Sequence, residues 1–210
     1  MGVGDAPGGG PRNHQALARI ERRIFHLVAG SIFPIALLFA PETPLLIAAI
    51  VLAGGAVLGE ALRFRVQAFN RWLTRTVRPL MKEGEHATPF ASTYLLIATA
   101  IIVGTMSAPV AALALFYLSI GDPVAAMVGQ RFGAGRLFGK SLEGSSAFLA
   151  AALAIGALLL ATELDTTYSV MVVGACAAML AELAPMRLDD NLKVPLAAGG
   201  VMTLTAHFWG

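Results

Sequence analysis

The sequence predicts an all-α integral membrane protein with about seven transmembrane helices and one amphipathic helix in the cytoplasmic interface. Three observations support this fold class. Apolar residues make up 57% of the chain and charged residues only 13%, whereas a soluble domain carries roughly 25% charged residues. The apolar residues are gathered into long runs, and every Lys and Arg lies in alternate connecting segments. We divide the chain into a flexible tail, 1–18, and a single polytopic membrane domain, 19–210.

The apolar runs have lengths near the roughly 20 residues that a helix needs to cross a bilayer. They lie at 24–41, 44–59, 88–105, 109–130, 146–162, 167–184 and 192–209. The second run is short, so the sidedness of the chain is better defined than the number of its spans. The first residues are rich in Gly and Pro and lack the apolar core of a signal peptide.

The connecting segments define the orientation of the chain. All 15 Lys and Arg lie before the first apolar run or in 60–87, 131–145 and 185–193, and none lies in the alternate connections. The positive-inside rule therefore places the N-terminus in the cytoplasm and the C-terminus outside. We expect a multi-pass protein of the inner or plasma membrane. The single cysteine, Cys176, excludes a disulfide framework.

The segment 60–83 is predicted to form the interfacial helix, kinked at its end by Pro79. Its apolar residues recur at spacings of three and four and would share one face, whereas its Arg and Lys residues lie mostly off that face. The apolar set is Leu62, Val66, Phe69, Leu73, Val77 and Leu80. Such a helix either anchors the protein to anionic lipid or gates the access of a lipid substrate, and both interpretations stay open.

The first chemical motif is Gly121-Asp122-Pro123, in the middle of an apolar stretch. The order Asp-Pro predicts a helix start, with Asp122 as N-cap and Pro123 at the first helical position. We therefore expect the helix to be broken near the membrane boundary. Because an ionisable residue at this depth is costly, Asp122 is a candidate catalytic residue rather than only a cap.

A glycine-rich basic segment follows Asp122. Backbone N–H groups of glycines can approach an anion, and basic side chains offset its charge. The predicted phosphate-binding residues are Gly129, Arg131, Gly133, Arg136, Lys140, Ser141, Glu143, Gly144 and Ser145, together with Asn191 further along the chain. The string AGRLFGKS resembles a P-loop, but Ala134 replaces its first glycine and a membrane helix precedes it, which excludes a Walker-type NTPase. The alternative interpretation is a solvated basic loop.

Acidic residues form the third motif: Glu182, followed by Asp189, Asp190 and Asn191. Two carboxylates beside an amide at a helix entrance either cap that helix or hold Mg²⁺ together with substrate phosphates. The predicted topology places them on the same membrane face as Asp122 and Glu143. Acids that converge with a basic glycine loop favour a metal–nucleotide complex as the ligand.

Arg23 and His26 enter the first apolar run from the cytoplasmic side. Arg23 either orients the chain or binds substrate, and His26 either packs within the bundle or takes part in catalysis. Both are therefore included in the candidate site, without an assigned role.

Four segments in this order resemble the CTP-dependent lipid-alcohol kinases, the family of dolichol kinase, phytol kinase and the yeast-type diacylglycerol kinase. They are ERRIFHLVAG from Glu21, GDPVAAMVGQRFG from Gly121, GKSLEGS from Gly139 and DDNLKVPL from Asp189. The second and third segments are also similar to phosphatidate cytidylyltransferases, whereas DDNLKVPL favours the kinases.

The resemblance implies Mg²⁺-dependent transfer of the γ-phosphoryl group of CTP to a lipid alcohol: polyprenol, dolichol, phytol or diacylglycerol. The products are a lipid monophosphate and CDP. It assigns catalysis to Asp122, Lys140 and Asp190. Metal ligands would be Asp122 and Asp190, assisted by Asp189 or Glu143. Lys140, with Arg131 or Arg136, would contact the triphosphate, and Ser141 and Ser145 would donate hydrogen bonds to it.

The implied partners are CTP and a lipid from the bilayer, with no nucleic acid, and the sequence leaves homo-oligomerisation open. Two rival functions are a cytidylyltransferase, which would transfer CMP, and a transporter. A broken helix with an intramembrane acid is also typical of transporters. The sequence shows no inverted repeat, and its charges gather on one face.

Overall fold

A computed structural model describes residues 11–78, 81 and 87–209. These residues form eight helices: α1 (Pro11–Phe39), α2 (Glu42–Arg65), α3 (Gln67–Thr76), α4 (Ala91–Thr105), α5 (Ala108–Phe132), α6 (Leu142–Ala161), α7 (Tyr168–Leu183) and α8 (Asp190–Trp209). The prediction of a helical chain is confirmed. An antiparallel hairpin between α5 and α6, β1 (Arg136–Leu137) and β2 (Lys140–Ser141), was not predicted.

The apolar helices point to a membrane protein. Three of them, α2, α5 and α6, are long and apolar enough to cross a bilayer. Shorter apolar helices lie at Arg23–Phe39, Ala91–Thr105 and Tyr168–Leu183, and α8 covers the last predicted run. Every predicted apolar run is therefore helical, while the number of spans stays a prediction.

Helix α5 forms the centre of the bundle. Within its most apolar window 72% of the residues are buried, compared with 17% in the corresponding window of α2. Alanines at 111, 112 and 114 are fully buried, and such small side chains allow neighbouring helices to approach closely. Tyr117 donates from its hydroxyl to the carbonyl oxygen of Met171 on α7 at 2.9 Å. Helix α5 is therefore largely enclosed by its neighbours, whereas its last residues are exposed.

The segment 60–83 is not a single interfacial helix, so this prediction was wrong in detail. Helix α2 continues to Arg65, the backbone is extended at Val66, and α3 is a separate helix. Residues of α3 are exposed or half-buried, as expected at an interface. Pro79, Leu80 and Lys82 lie outside the described residues.

The N-terminal tail is shorter than the predicted 1–18. Helix α1 begins at Pro11 and includes 11–18; residues 1–10 lie outside the described part.

The predicted break at Gly121-Asp122-Pro123 was wrong, because α5 continues through Pro123 without interruption. Asp122 is therefore within the helix and is not its N-cap. A proline inside a helix removes one hydrogen bond, which packing against neighbouring helices offsets in membrane bundles. Gly121 allows this packing, since a Cβ at that position would lie 2.7 Å from the ring of Phe148 on α6.

Candidate active site

Two lysines and two carboxylates meet where the hairpin approaches α7 and α8. Nζ of Lys140 lies 2.7 Å from Oε1 of Glu182 and 2.8 Å from Oδ2 of Asp190. Nζ of Lys193 lies 3.0 Å from Oδ1 of Asp190, and it donates to the carbonyl oxygen of Ala184 at 2.8 Å. We call Lys140, Ser145, Glu182, Asp190 and Lys193 the lysine–carboxylate cluster, because Ser145 also donates to Oε2 of Glu182 at 3.0 Å.

The hairpin places Lys140 in this cluster. Leu137 pairs with Lys140 across the hairpin, and the two residues between them, Phe138 and Gly139, have φ of 53° and 89°. Two-residue hairpin turns of this kind need positive φ at both positions. Helix α6 starts directly after the hairpin, where the hydroxyl of Ser141 accepts from the backbone N–H of Gly144 at 3.1 Å. The short turn and the helix start fix the position of Lys140.

Two of the predicted phosphate-binding glycines have a packing role. A Cβ at Gly144 would lie 2.8 Å from the carbonyl oxygen of Ala125, and a Cβ at Gly129 would overlap the hydroxyl of Ser141. These glycines therefore let the start of α6 lie directly against the end of α5. That contact brings the hairpin and Lys140 close to the helix that carries Asp122. Their binding to phosphate stays a prediction.

The cluster is balanced in charge, and its opposite charges favour the ionised forms of Lys140 and Asp190. Burial alone would lower the pKa of the Lys140 ammonium, but the carboxylates of Asp190 and Glu182 outweigh this and hold that pKa above its usual value. Burial alone would raise the pKa of the Asp190 carboxyl, but Lys140 and Lys193 hold it below its usual value. An ammonium has three N–H donors, so Lys140, 28% exposed, has one more to offer a ligand.

A cavity of about 430 Å³ lies beside the cluster, between α1, α4, α5 and α8. Its polar wall includes Arg23, His26, Asp122 and Asn191, and most of its remaining lining is apolar. Arg23 donates from Nη2 to the carbonyl oxygen of Ala126, one turn after Asp122, at 3.3 Å. Asp122 is half-buried, and no described residue donates a hydrogen bond to its carboxylate or pairs with it. An unpaired carboxylate in such surroundings is a functional candidate.

The cavity opens toward the outer face of α1 and α2. Phe25, Ile32 and Leu52 line it, yet their side chains are 45%, 60% and 49% exposed. In a protein that spans a bilayer, these exposed apolar side chains face lipid. The lining of the cavity therefore includes apolar side chains on the outer surface of the bundle.

Asn191 connects the cavity to the lysine–carboxylate cluster. It follows Asp190 in the chain, is buried, and lines the cavity. Its amide Nδ2 donates to the carbonyl oxygen of Ala91 at the start of α4, at 3.2 Å. The two parts of the site are thus built on adjacent residues of α8.

The other predicted residues lie nearby but outside the cluster. Arg131, Gly133 and Arg136 are exposed at the end of α5 and in the hairpin. Glu143 accepts from the backbone N–H of Ala134 at 3.1 Å, and backbone N–H groups, first its own, hold the pKa of its carboxyl below the usual value.

The predicted metal ligands Asp122, Asp189 and Asp190 do not form a preassembled centre. Oxygens of Asp190 face two lysines, and Oδ1 of Asp189 accepts from the backbone N–H of Asn191 at 2.9 Å, which caps α8. Within the described ranges, no group of three or more His, Cys, Asp or Glu residues is arranged to hold a metal ion. The arrangement does not fit an ion held by protein ligands alone.

Sequence reasoning missed Lys193 and left Glu182 without a role. Lys193 is 7% exposed although it is charged, and its three-residue spacing from Asp190 in a helix was the signal that could have found it. Glu182 lies in the last turn of the apolar helix α7. A carboxylate at that position needs a cation, and only the fold shows that the cation is Lys140.

Comparisons with known proteins support the resemblance to lipid kinases. A phytol kinase of Synechocystis is 28% identical over 208 positions, which cover 91% of this chain and 82% of its own length. An uncharacterized protein of Rickettsia prowazekii is 24% identical over 183 positions, covering 84% of this chain and 89% of its own. No family model matches the chain, and no solved structure matches it.

Proposed function

We propose that this protein is a membrane kinase that transfers the γ-phosphoryl group of CTP to the hydroxyl of a lipid alcohol. The observation that carries the proposal is the carboxylate of Asp122, which pairs with no described residue, on the wall of a largely apolar cavity and beside a cluster that includes a partly exposed lysine. The similarity to phytol kinase over most of the chain supports it. The acceptor classes are the polyprenols or dolichols, phytol and diacylglycerol.

The lipid enters between α1 and α2, where Phe25, Ile32 and Leu52 are exposed. Its apolar chain remains against these side chains and the bilayer, and its hydroxyl reaches Asp122. This route keeps the lipid tail out of water. Exposure of the tail to water would cost about 0.8 kcal/mol for each CH₂ group. Only the hydroxyl has to reach the polar wall.

The nucleotide occupies the cytoplasmic face of the lysine–carboxylate cluster. Lys140 offers its third N–H to a phosphate oxygen, and Ser141 and Ser145 lie at the start of α6, whose N-terminal N–H groups favour an anion. Arg131 at the end of α5 and Arg136 in the hairpin are exposed and supply further positive charge. Cytoplasmic orientation follows from the distribution of Lys and Arg.

Mg²⁺ belongs to the proposal as part of the metal–nucleotide complex, because such an ion binds mainly to phosphates and water and needs only one or two carboxylates. When bound, it neutralises charge on the phosphates. Asp122 and Asp190 are the carboxylates that would contact the complex, and Asp190 would then exchange one of its lysine contacts.

Asp122 orients the lipid hydroxyl and accepts its proton. The hydroxyl oxygen forms a bond to the γ-phosphorus, the bond from that phosphorus to the β-phosphate oxygen breaks, and CDP leaves. Such a reaction depends mainly on positioning and on neutralisation of charge. Lys140 neutralises the phosphates, while Arg23 and His26, beside Asp122 in the cavity, face the lipid hydroxyl.

The test uses the purified protein in nanodiscs with Mg²⁺ and a panel of phytol, polyprenol and diacylglycerol. Label from the γ-phosphate of CTP should appear in the lipid, whereas label from the α-phosphate should not. Transfer of the α-label would instead identify a cytidylyltransferase, and γ-labelled ATP tests the choice of nucleotide.

Asp122→Asn and Lys140→Ala should each lower the labelling about 100-fold or more and leave membrane insertion intact. Matched controls are Asp165→Asn and Arg75→Ala, which change exposed charges outside the site and should retain activity. Full activity of both site variants would contradict the site assignment.

A further inference from the structure

A second charged pair lies on α2, away from the lysine–carboxylate cluster. Glu60 and Arg63 are 7% and 1% exposed on a helix that is otherwise largely exposed. Oε2 of Glu60 accepts from Nη2 and Nε of Arg63 at 2.6 and 2.9 Å. The fork of an Arg side chain makes such a two-point contact geometrically specific.

Both members of the pair also hold the segment that leads into α4. Nη2 of Arg63 donates to the carbonyl oxygen of Thr88 at 2.6 Å, and its guanidinium lies 4.1 Å from the ring centroid of Phe90. Oε1 of Glu60 accepts from the backbone N–H of Phe90 at 2.8 Å and from the hydroxyl of Thr93 at 3.3 Å. Phe90 has no capping side chain of its own, so Glu60 supplies the cap of α4 from another helix.

The residues held in this way form part of the substrate cavity. Phe90, Ala91 and Ser92 line it, and the carbonyl oxygen of Ala91 accepts from Asn191 at 3.2 Å. The hydrogen bond from Phe90 to Glu60 and that from Asn191 to Ala91 are joined by the Phe90–Ala91 peptide bond, so α2 is connected through the start of α4 to α8. This connection ends at the residue next to Asp190.

We propose that Glu60 and Arg63 are positioning residues that set the wall of the lipid cavity and, through Ala91 and Asn191, the start of α8 in the active site. The pair acts through backbone groups and does not touch substrate. The kinetic part of this inference rests on the proposed lipid-kinase function, whereas the structural coupling from α2 to α8 does not.

The experiment compares Glu60→Gln with the wild-type protein in nanodiscs. Gln keeps the shape and one acceptor oxygen but removes the negative charge that Glu60 presents to Arg63. The KM for the lipid alcohol should rise about tenfold or more, because small displacements of a positioning group have effects of this size. The KM for CTP should change less than twofold. The control is Arg65→Gln, which changes an exposed arginine two residues after Arg63 and should behave as wild type.

Hydrogen exchange provides the second readout and does not depend on activity. In Glu60→Gln, the amide of Phe90 and the amides of 191–193 should exchange faster, while those of α7 should be unchanged. If Glu60→Gln does not fold, Thr93→Val replaces it in the experiment. This variant removes only the hydroxyl bond to Glu60 and should show the same changes in exchange at smaller amplitude.

The outcomes separate the two proposals. Unchanged exchange at 191–193 in a folded variant overturns the coupling, whatever the activity. If Glu60→Gln impairs the kinetics for the lipid and for CTP equally and raises exchange throughout the protein, the variant has lost stability in general. That result also overturns the coupling. Absence of lipid phosphorylation in the wild-type protein contradicts the proposed function, while the exchange data still decide the coupling.

Discussion

The two groups of charged residues in this protein differ in how completely the fold encloses them. In the Glu60–Arg63 pair the side chains of Arg63 and Glu60 are 0% and 9% exposed, and backbone groups and aromatic rings surround them. In the lysine–carboxylate cluster Lys140 and Asp190 are 28% and 26% exposed. Both groups contain close ion pairs, but only the second is open to a ligand.

This difference separates a structural role from a binding role. A closed pair has exchanged its contacts with water for contacts with protein, so it holds two segments together and resists change. An open cluster keeps donors and acceptors available, and its ion pairs can rearrange when a phosphate arrives. The exposure of the charges, more than their distances, therefore makes the lysine–carboxylate cluster the candidate for ligand binding.

The largest expected effect is on catalysis, through the open cluster. Lys140→Ala should lower kcat about 100- to 1000-fold, the range for removal of one group that stabilises charge in the transition state. The melting temperature should fall as well, because Glu182 is left buried without its cation, but the variant should remain folded at the assay temperature. Transfer of label from CTP and thermal unfolding in the same nanodiscs measure the two effects. A large loss of stability with activity retained would reverse the roles of the two groups.

The closed pair should show the opposite behaviour. Arg63→Met leaves the Glu60 carboxylate buried without its partner and should lower the free energy of unfolding by about 3–5 kcal/mol. Replacing both residues, as Glu60→Leu with Arg63→Met, should recover most of this loss. Denaturant titration of the protein in detergent micelles measures it, with Arg65→Met as control. Equal stability of the single and double variants would show that the charges are not coupled.

The pH dependence of the open cluster follows from its two shifted groups. The pKa of Asp190 is lowered, so its contribution to stability is complete above the ordinary Asp pKa and is lost as pH falls through the lowered value. The pKa of Lys140 is raised, so its contribution is complete below the ordinary Lys pKa and is lost as pH rises through the raised value. Between about pH 4 and pH 10 the pair should contribute fully.

Melting curves that extend below pH 4 and above pH 10 measure this effect, with Lys140→Met as the reference. The difference between wild type and variant should be flat across the neutral range and should shrink at both extremes. A difference that changes steeply near pH 7 would contradict the assignment.

The smallest effect is expected from Ser145→Ala, which removes the hydrogen bond to Glu182. The loss of a hydrogen bond to a charged group costs about 1.5–3 kcal/mol when the acceptor is buried. Because Glu182 keeps Lys140, we expect the lower end of this range and a reduction of activity of about tenfold or less. Ser146→Ala, an exposed neighbour, is the control. A loss as large as that of Lys140→Ala would show that Ser145 itself contacts the nucleotide.

The sequence by itself determined the helical class, the position of each apolar run and the residues that could carry chemistry. These properties are local: periodicity and composition decide whether a segment forms a helix, and a charge in an apolar run is visible without a fold. They include Asp122, Lys140 and Asp190, which the structure places in or beside one cavity and one cluster.

Only the tertiary structure decided which partners these residues have. The continuous α5, against the expected break at Pro123, depends on packing around Gly121, and the burial of Arg63 depends on a carbonyl 25 residues away in the chain. Lys140 meets Asp190 across 50 residues. Contacts between distant segments are set by the simultaneous packing of several helices, and no local pattern in the sequence specifies them.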